Sequence, residues 1–346
     1  MVCNGWRPEL LMPINRKIMG VSRGKVFTGA LSGTSTIATG SGPRGVCISA
    51  DGSSVYASCF NDTVSIFSRN TSTGALSGTS TIATGSLPFG ICISADGKSV
   101  YTPNFSSNTV SIFSRNISTG ALSGTSTIAT GANPYAICIS ADGTSVYAAN
   151  LGGTTVSIFS RNTSTGALSG TSTIATGTSP RGVCISADGT SVYVCNYGAA
   201  TLSIFSRNTS TGALSGTSTI ATGGQPLFVC ISADGKNVYV SNEGSTTVSI
   251  FDRNTSTGAL SGTSTIASGA QPYGICISAD GKSVYATNLG GTTVSIFSRN
   301  TSTGALSGTS TIATGTSPFG ICISSDDASV YTANSGSATV SIFTRS

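Results

Sequence analysis

The chain has 346 residues, of which only 8% are charged, with a formal net charge of +5 and no histidine. Five of the basic residues, Arg7, Arg16, Lys17, Arg23 and Lys25, sit in the first 25 positions against Glu9 alone, so the rest of the chain is nearly neutral and offers no basic footprint for nucleic acid. The composition also excludes the usual histidine-bearing zinc sites, and no run approaches the ~18 consecutive apolar residues of a membrane-spanning helix.

Residues 1–25 match nothing that follows and are read as a non-repeat N-terminal tail, without the apolar core of a signal peptide. From Gly29 onward the segment GALSGTSTIATG recurs at Gly74, Gly120, Gly166, Gly212, Gly258 and Gly304, altered only at Ser268; the spacing is 45 residues once and 46 thereafter. Repeats of this length built from short β-like runs predict a propeller, each unit one blade. Residues 26–346 are therefore expected to form one all-β domain, a seven-bladed β-propeller with four antiparallel strands per blade.

The second unit shows the pattern. After Pro88 the run Phe89-Gly90-Ile91-Cys92-Ile93-Ser94 is apolar and predicts a first strand, ended by the turn Ala95-Asp96-Gly97. Ser99 to Thr102 is the second strand, followed by a loop through Asn104 and Phe105 to Asn108. The β-branched run Thr109 to Ser114 is the third strand, and Ala121 to Thr130 the fourth. The first three are apolar on both faces, as blades sandwiched between blades require; the fourth is mostly Ser, Thr and Gly, as a rim facing water requires. The first unit supplies only a fourth strand and the last unit lacks one, so residues near Ala30 to Thr39 are expected to close the ring beside Thr339 to Phe343.

Seven of the ten cysteines, Cys47, Cys92, Cys138, Cys184, Cys230, Cys276 and Cys322, hold the same place in successive first strands. Equivalent positions of neighbouring blades stand too far apart for a disulfide, so these are expected to be buried thiols, and unpaired thiols favour a reducing, cytoplasmic compartment. Neither metal ligands nor a cofactor motif are visible. The turn aspartates from Asp51 to Asp326 and the arginines from Arg69 to Arg345 are expected on one face of the disk, as surface pairs of little energetic weight. Asn70-Thr71-Ser72 and its copies fit a glycosylation sequon and read more simply as turns.

Within the units, Val146-Tyr147-Ala148-Ala149-Asn150, Val238-Tyr239-Val240-Ser241-Asn242 and Val330-Tyr331-Thr332-Ala333-Asn334, each followed by a Thr-Val-Ser-Ile-Phe strand, resemble the YVTN-repeat propellers and the related seven-bladed lactonase family, which includes 6-phosphogluconolactonase. The resemblance implies the fold and, as one possible activity, lactone hydrolysis; one fold hosts many functions.

The units differ from one another mainly in two loops expected on the same face: around each Pro, and between second and third strands. The residues concerned are Arg44, Phe89, Tyr135, Arg181, Leu227, Tyr273 and Phe319 after the prolines, with Phe60, Phe105, Tyr197 and Glu243 in the second loop. Rings and arginines are the usual anchors of recognition. The leading expectation is a non-catalytic binding or display scaffold that engages a protein, peptide or glycan through this face. The alternative is a lactonase-like hydrolase with Glu243 as base and Arg44 or Arg181 holding the anion; a third is self-assembly through exposed outer strands.

Overall fold

Each repeat forms one sheet because its β-branched runs are separated by Asp-Gly and Thr-Gly turns that reverse the chain. In the computed structural model, which describes residues 27–346, blade 1 comprises Pro43–Ile48, Ser54–Cys59, Thr63–Arg69 and Leu76–Ala83, hydrogen-bonded in that order. Seven such four-stranded antiparallel sheets make the propeller; the proposed tail of residues 1–25 lies outside the described residues. Every second strand is buried along its whole length, from Ser54–Cys59 in blade 1 to Ser329–Asn334 in blade 7, because both its faces pack on neighbouring blades. The outermost strands expose their Ser and Thr residues.

Both ends of the described residues build blade 7. Leu31–Ala38 runs antiparallel to Thr339–Arg345, from Leu31 opposite Arg345 to Ala38 opposite Thr339, and the Ser346 carbonyl accepts bonds from the Thr28 and Gly29 amides. One departure from the expected strands is in blade 2, where the first strand shrinks to Cys92–Ile93. Its partner strand carries Pro103, which has no N–H to donate, so the ladder is lost there and resumes only as the isolated bridge between Pro88 and Asn104.

The arginines and turn aspartates correct the expectation of weak surface pairs. Arg115, at the end of the third strand of blade 2, has a fully buried side chain that reaches back into blade 1. Its Nε donates to the Tyr56 hydroxyl at 2.6 Å, one terminal nitrogen to the Gly97 carbonyl at 3.2 Å, and the other to Asp51 at 3.2 Å. Tyr56 in turn donates to the Gly120 carbonyl at 2.7 Å, back in blade 2. The same Arg–Tyr–Asp latch recurs at all seven joints, including Arg69 with Tyr331 and Asp326 between blades 1 and 7. Burial alone would raise the Asp51 pKa, but hydrogen bonds from Ser49 and Ser53 and the Arg115 charge outweigh it and hold the carboxyl at about 2. The joint between blades 6 and 7 carries an additional contact. Asp327, where the other turns have glycine, accepts the Ala279 and Asp280 amides at 2.7 and 2.8 Å and pairs with Arg345 at 3.4 Å.

All nine described cysteines are free. Cys47 packs with Tyr56, Val64, Val100 and Phe113 between blades 1 and 2. Cys59 and Cys195 are buried, but the seven first-strand cysteines, expected to be buried, are only half-buried, because the first strands are not covered along their whole length as the second strands are. Desolvation still drives their thiols up, Cys92, Cys230 and Cys322 to about 12, which keeps them protonated at neutral pH. The turn asparagines hold their own loops: the Asn70 side-chain oxygen accepts the Ser72 and Thr73 amides. Among the described residues no helix is long and apolar enough to cross a membrane.

Candidate functional site at the channel mouth

The two variable loops of each blade do meet at one end of the sheet. The loop after the second strand bonds the connection that enters the first: Phe60 donates its amide to Gly42, Phe105 to Leu87 and Glu243 to Gln225. The residue before each proline sits in the left-handed region, as at Leu87 (φ 53°) and Gln225 (φ 56°), which turns the chain sharply inward. The residue after the proline is then fixed by the preceding blade: the Thr287 hydroxyl donates to the Phe319 carbonyl at 2.7 Å, and Ser58 and Ser241 do the same for Phe89 and Tyr273. The next position is small in six of the seven blades, where neighbouring backbones approach closely; a Cβ on Gly182 would stand 2.4 Å from the Leu227 carbonyl oxygen.

This scaffold closes a circuit of side chains around the axis. Phe60 and Phe89 meet edge-on at 4.9 Å between centroids, Phe89 and Tyr135 at 4.3 Å, Tyr135 and Phe228 at 6.3 Å, Phe228 and Tyr273 at 5.4 Å, and Tyr273 and Phe319 at 4.5 Å. Arg44 completes it, its guanidinium 3.8 Å from the Phe319 centroid and 3.9 Å from that of Phe60. Phe105 also meets Phe89, with centroids 5.3 Å apart and the rings tilted by 55°. The Tyr135 and Tyr273 hydroxyls touch across the channel.

The residues singled out from the sequence thus divide by burial. Leu227 is wholly buried, and Tyr135, Tyr273 and Phe319 are 8% exposed or less. Arg44, Phe60, Phe89, Phe105, Arg181, Tyr197 and Glu243 are half-buried. Phe228 belongs to the circuit and was missed by sequence reasoning. Its signal was there: it stands where the other first strands carry Gly45, Gly90, Ala136, Gly182, Gly274 and Gly320. The repeated asparagines bond third-strand hydroxyls rather than loop backbone, Asn104 Nδ2 donating to Thr109 and Ser111 at 2.9 Å each; in blade 4, Asn196 also accepts the Gly177 amide.

A polar cluster lies on one side of the mouth. The Arg181 guanidinium is 3.7 Å from the Tyr197 ring centroid and 5.2 Å from that of Tyr135. Burial raises the Tyr197 pKa, and the nearby Glu243 carboxylate raises it further. Tyr135 is pushed up to about 12, chiefly by burial and against the Arg181 and Arg44 charges. Both phenols are therefore protonated donors at neutral pH. The Nε atoms of Arg44 and Arg181 are buried and have no hydrogen-bond partner, and neither guanidinium is in an ion pair among the described residues. Asp62, the other acid of this face, is engaged elsewhere, accepting the Leu87 amide at 2.8 Å. Among the described residues no group of three or more His, Cys, Asp or Glu is placed to hold a metal. The arrangement can hold an anion, donate to a developing oxyanion and take a proton from water.

A family model described as "Lactonase, 7-bladed beta-propeller" matches residues 28–185, 170–275 and 263–346. Comparison with curated proteins returns no match. Among solved structures, a candidate 6-phosphogluconolactonase from Bacteroides uniformis is 24% identical with a TM-score of 0.74, covering 82% of this chain and 88% of its own. Its counterpart from Bacteroides fragilis is also 24% identical, with a TM-score of 0.71 and coverage of 80% and 86%. Hydrazine synthase from Kuenenia stuttgartiensis, 22% identical, has a TM-score of 0.71 and coverage of 88% and 95%. Likeness at this level of identity speaks to the fold, and such different names on it leave the chemistry to the site.

Proposed function

Because this chain belongs to the seven-bladed β-propeller lactonase family, we propose that it hydrolyses a lactone at the mouth cluster of Arg181, Tyr197, Tyr135 and Glu243. The observation that carries the reading is the convergence of one guanidinium, two protonated phenols and one carboxylate drawn from blades 3, 4 and 5. Glu243 takes a proton from water as the oxygen adds to the lactone carbonyl. Arg181, with no carboxylate partner of its own, stabilises the oxyanion that forms, and a phenol donates a further hydrogen bond. Collapse of the intermediate breaks the ring C–O bond, and the proton from water goes to the leaving alkoxide, giving a hydroxy acid.

The test is the rate of ring opening of a δ-lactone of an aldonic acid above its spontaneous hydrolysis. Glu243→Gln is expected to lower kcat/KM by about 10²-fold or more with the melting temperature unchanged. A rate equal to wild type, or a wild-type protein that never exceeds the spontaneous rate, overturns the proposal. The absence of histidine and the scarcity of acids on this face favour a second reading, a non-catalytic scaffold for a protein, peptide or glycan. It predicts saturable binding of such a partner with no turnover of any lactone.

A further inference from the structure

We infer that the channel beneath the aromatic circuit is a second ligand site, which takes a small organic anion with a hydrocarbon body, such as an aromatic or short-chain aliphatic carboxylate. The carboxylate sits on Arg44 and the hydrocarbon lies in the channel. Three observations carry this, and none involves Arg181, Tyr197 or Glu243; Tyr135 alone of the mouth cluster also lines this channel.

The first is the cavity itself. It has a volume of about 160 Å³, and branched side chains wall it, Val46, Ile137, Val183, Ile275 and Ile321 from first strands and Ile91 from the segment leading into that of blade 2. Phe89, Tyr135, Phe228 and Tyr273 also line it, on the side of the mouth. Apolar cavities of about 150 Å³ walled by Leu, Ile and Phe remain dry and accept benzene, so this one has room for a single aromatic ring or a short alkyl chain.

The second is the charge at its rim. Among the described residues, Arg44 is the one cation that lines the cavity. Its guanidinium is clamped between the Phe60 and Phe319 rings, its Nε is buried without a partner, and burial lowers its pKa. A desolvated cation without a counter-charge is costly, and a carboxylate answers both the charge and the planar donor geometry.

The third is the contrast with the arginines elsewhere in the fold. Arg69, Arg115, Arg161, Arg207, Arg253, Arg299 and Arg345 each have an aspartate in hand. Arg44 is instead held between two rings, and no carboxylate among the described residues pairs with it.

Calorimetric titration with benzoate tests the assignment, with acetate and benzyl alcohol as probes for charge alone and ring alone. Wild type is expected to bind benzoate at least about tenfold more tightly than either, a difference of about 1.4 kcal/mol. Arg44→Leu should lose benzoate by at least tenfold and keep benzyl alcohol. The pair Val46→Ile with Val183→Ile, which narrows the channel, should weaken benzoate and leave acetate unchanged. Arg181→Met should leave benzoate binding as it is, so failure of the lactonase reading and failure of this one are separable. Should Arg44→Leu not fold, Arg44→Lys keeps the charge on a flexible stem and is expected to bind benzoate several-fold more weakly. Benzoate that binds no better than acetate, or that binds Arg44→Leu or Arg44→Lys as wild type, overturns the inference.

Discussion

The two ends of the disk use the same residue type in opposite ways. At the turn end, seven arginines are buried with their phenol and carboxylate partners; every copy keeps the Arg Nε to Tyr hydroxyl bond at 2.6–2.9 Å, while the Arg–Asp distance ranges from 2.8 to 3.4 Å and Arg345, beside Asp327, leaves one terminal nitrogen without a hydrogen bond. At the mouth, Arg44 and Arg181 are stacked on rings with buried Nε atoms that bond to nothing. A largely satisfied charge network between blades stabilises the ring, whereas a guanidinium without a counter-charge beside a cavity marks a candidate site. The difference teaches where in a near-perfect repeat to look for function: at the end where charge is left open.

The largest effect concerns what both ends depend on, the closed ring. Removing residues 27–40 takes the outer strand from blade 7, along with the amides that bind Ser346. The melting temperature should fall by about 10 °C or more in a calorimetric scan; an unchanged transition would mean that the strand exchange contributes nothing.

Next is the latch. Tyr147 receives the Arg207 Nε at 2.7 Å and donates to the Gly212 carbonyl at 2.7 Å, and it is wholly buried. Tyr147→Phe should cost about 1–3 kcal/mol in urea unfolding, because it leaves two buried polar groups unpaired. A cost near zero would return the latches to the status of surface pairs. That status was the sequence-based expectation, and its failure is instructive. Tyr56 and Arg115 belong to different units, and nothing in a run of identical turns shows that an arginine folds back across a blade joint. Period, strand order and ring closure were legible because each is local or counts copies. The positions around the mouth were legible because they vary where their neighbours do not. What could not be read was depth: Leu227 lies wholly inside the fold, Tyr197 only partly, and both occupied variable loops on equal terms.

The pH dependence of stability follows from the same latches. Asp51, Asp142 and Asp188 have folded pKa values of about 2, below the ordinary carboxylate value, so their contribution is complete above about pH 4 and is lost as pH falls toward 2. Tyrosines raised by burial, Tyr239 to about 12, contribute fully below about pH 10 and lose that contribution as pH climbs toward 12. Melting temperature is therefore expected to be level between these limits and to decline outside them; a steep change between pH 5 and 8 would require a titrating group that the latches do not contain.

The smallest effect is on thiol reactivity. The seven first-strand thiols are half-buried and their pKa values are raised by desolvation, so they should react only slowly with a maleimide in the native protein and rapidly on unfolding. Rapid native labelling would show that the blade joints open readily.

The division of the disk into a stabilising end and a working end is tested most directly by making the same change at each, Arg207→Met and Arg181→Met, and measuring both the unfolding free energy and kcat/KM for lactone opening. Arg207→Met is expected to cost about 2–3 kcal/mol, below the ~3–5 of a fully buried pair because Asp142 remains 41% exposed, and to leave kcat/KM within about twofold at temperatures where it is folded. Arg181→Met is expected to change stability by about 1 kcal/mol or less and to lower kcat/KM by about 10²-fold or more. Equal effects of the two substitutions on both quantities, or the reverse pattern, would contradict the account.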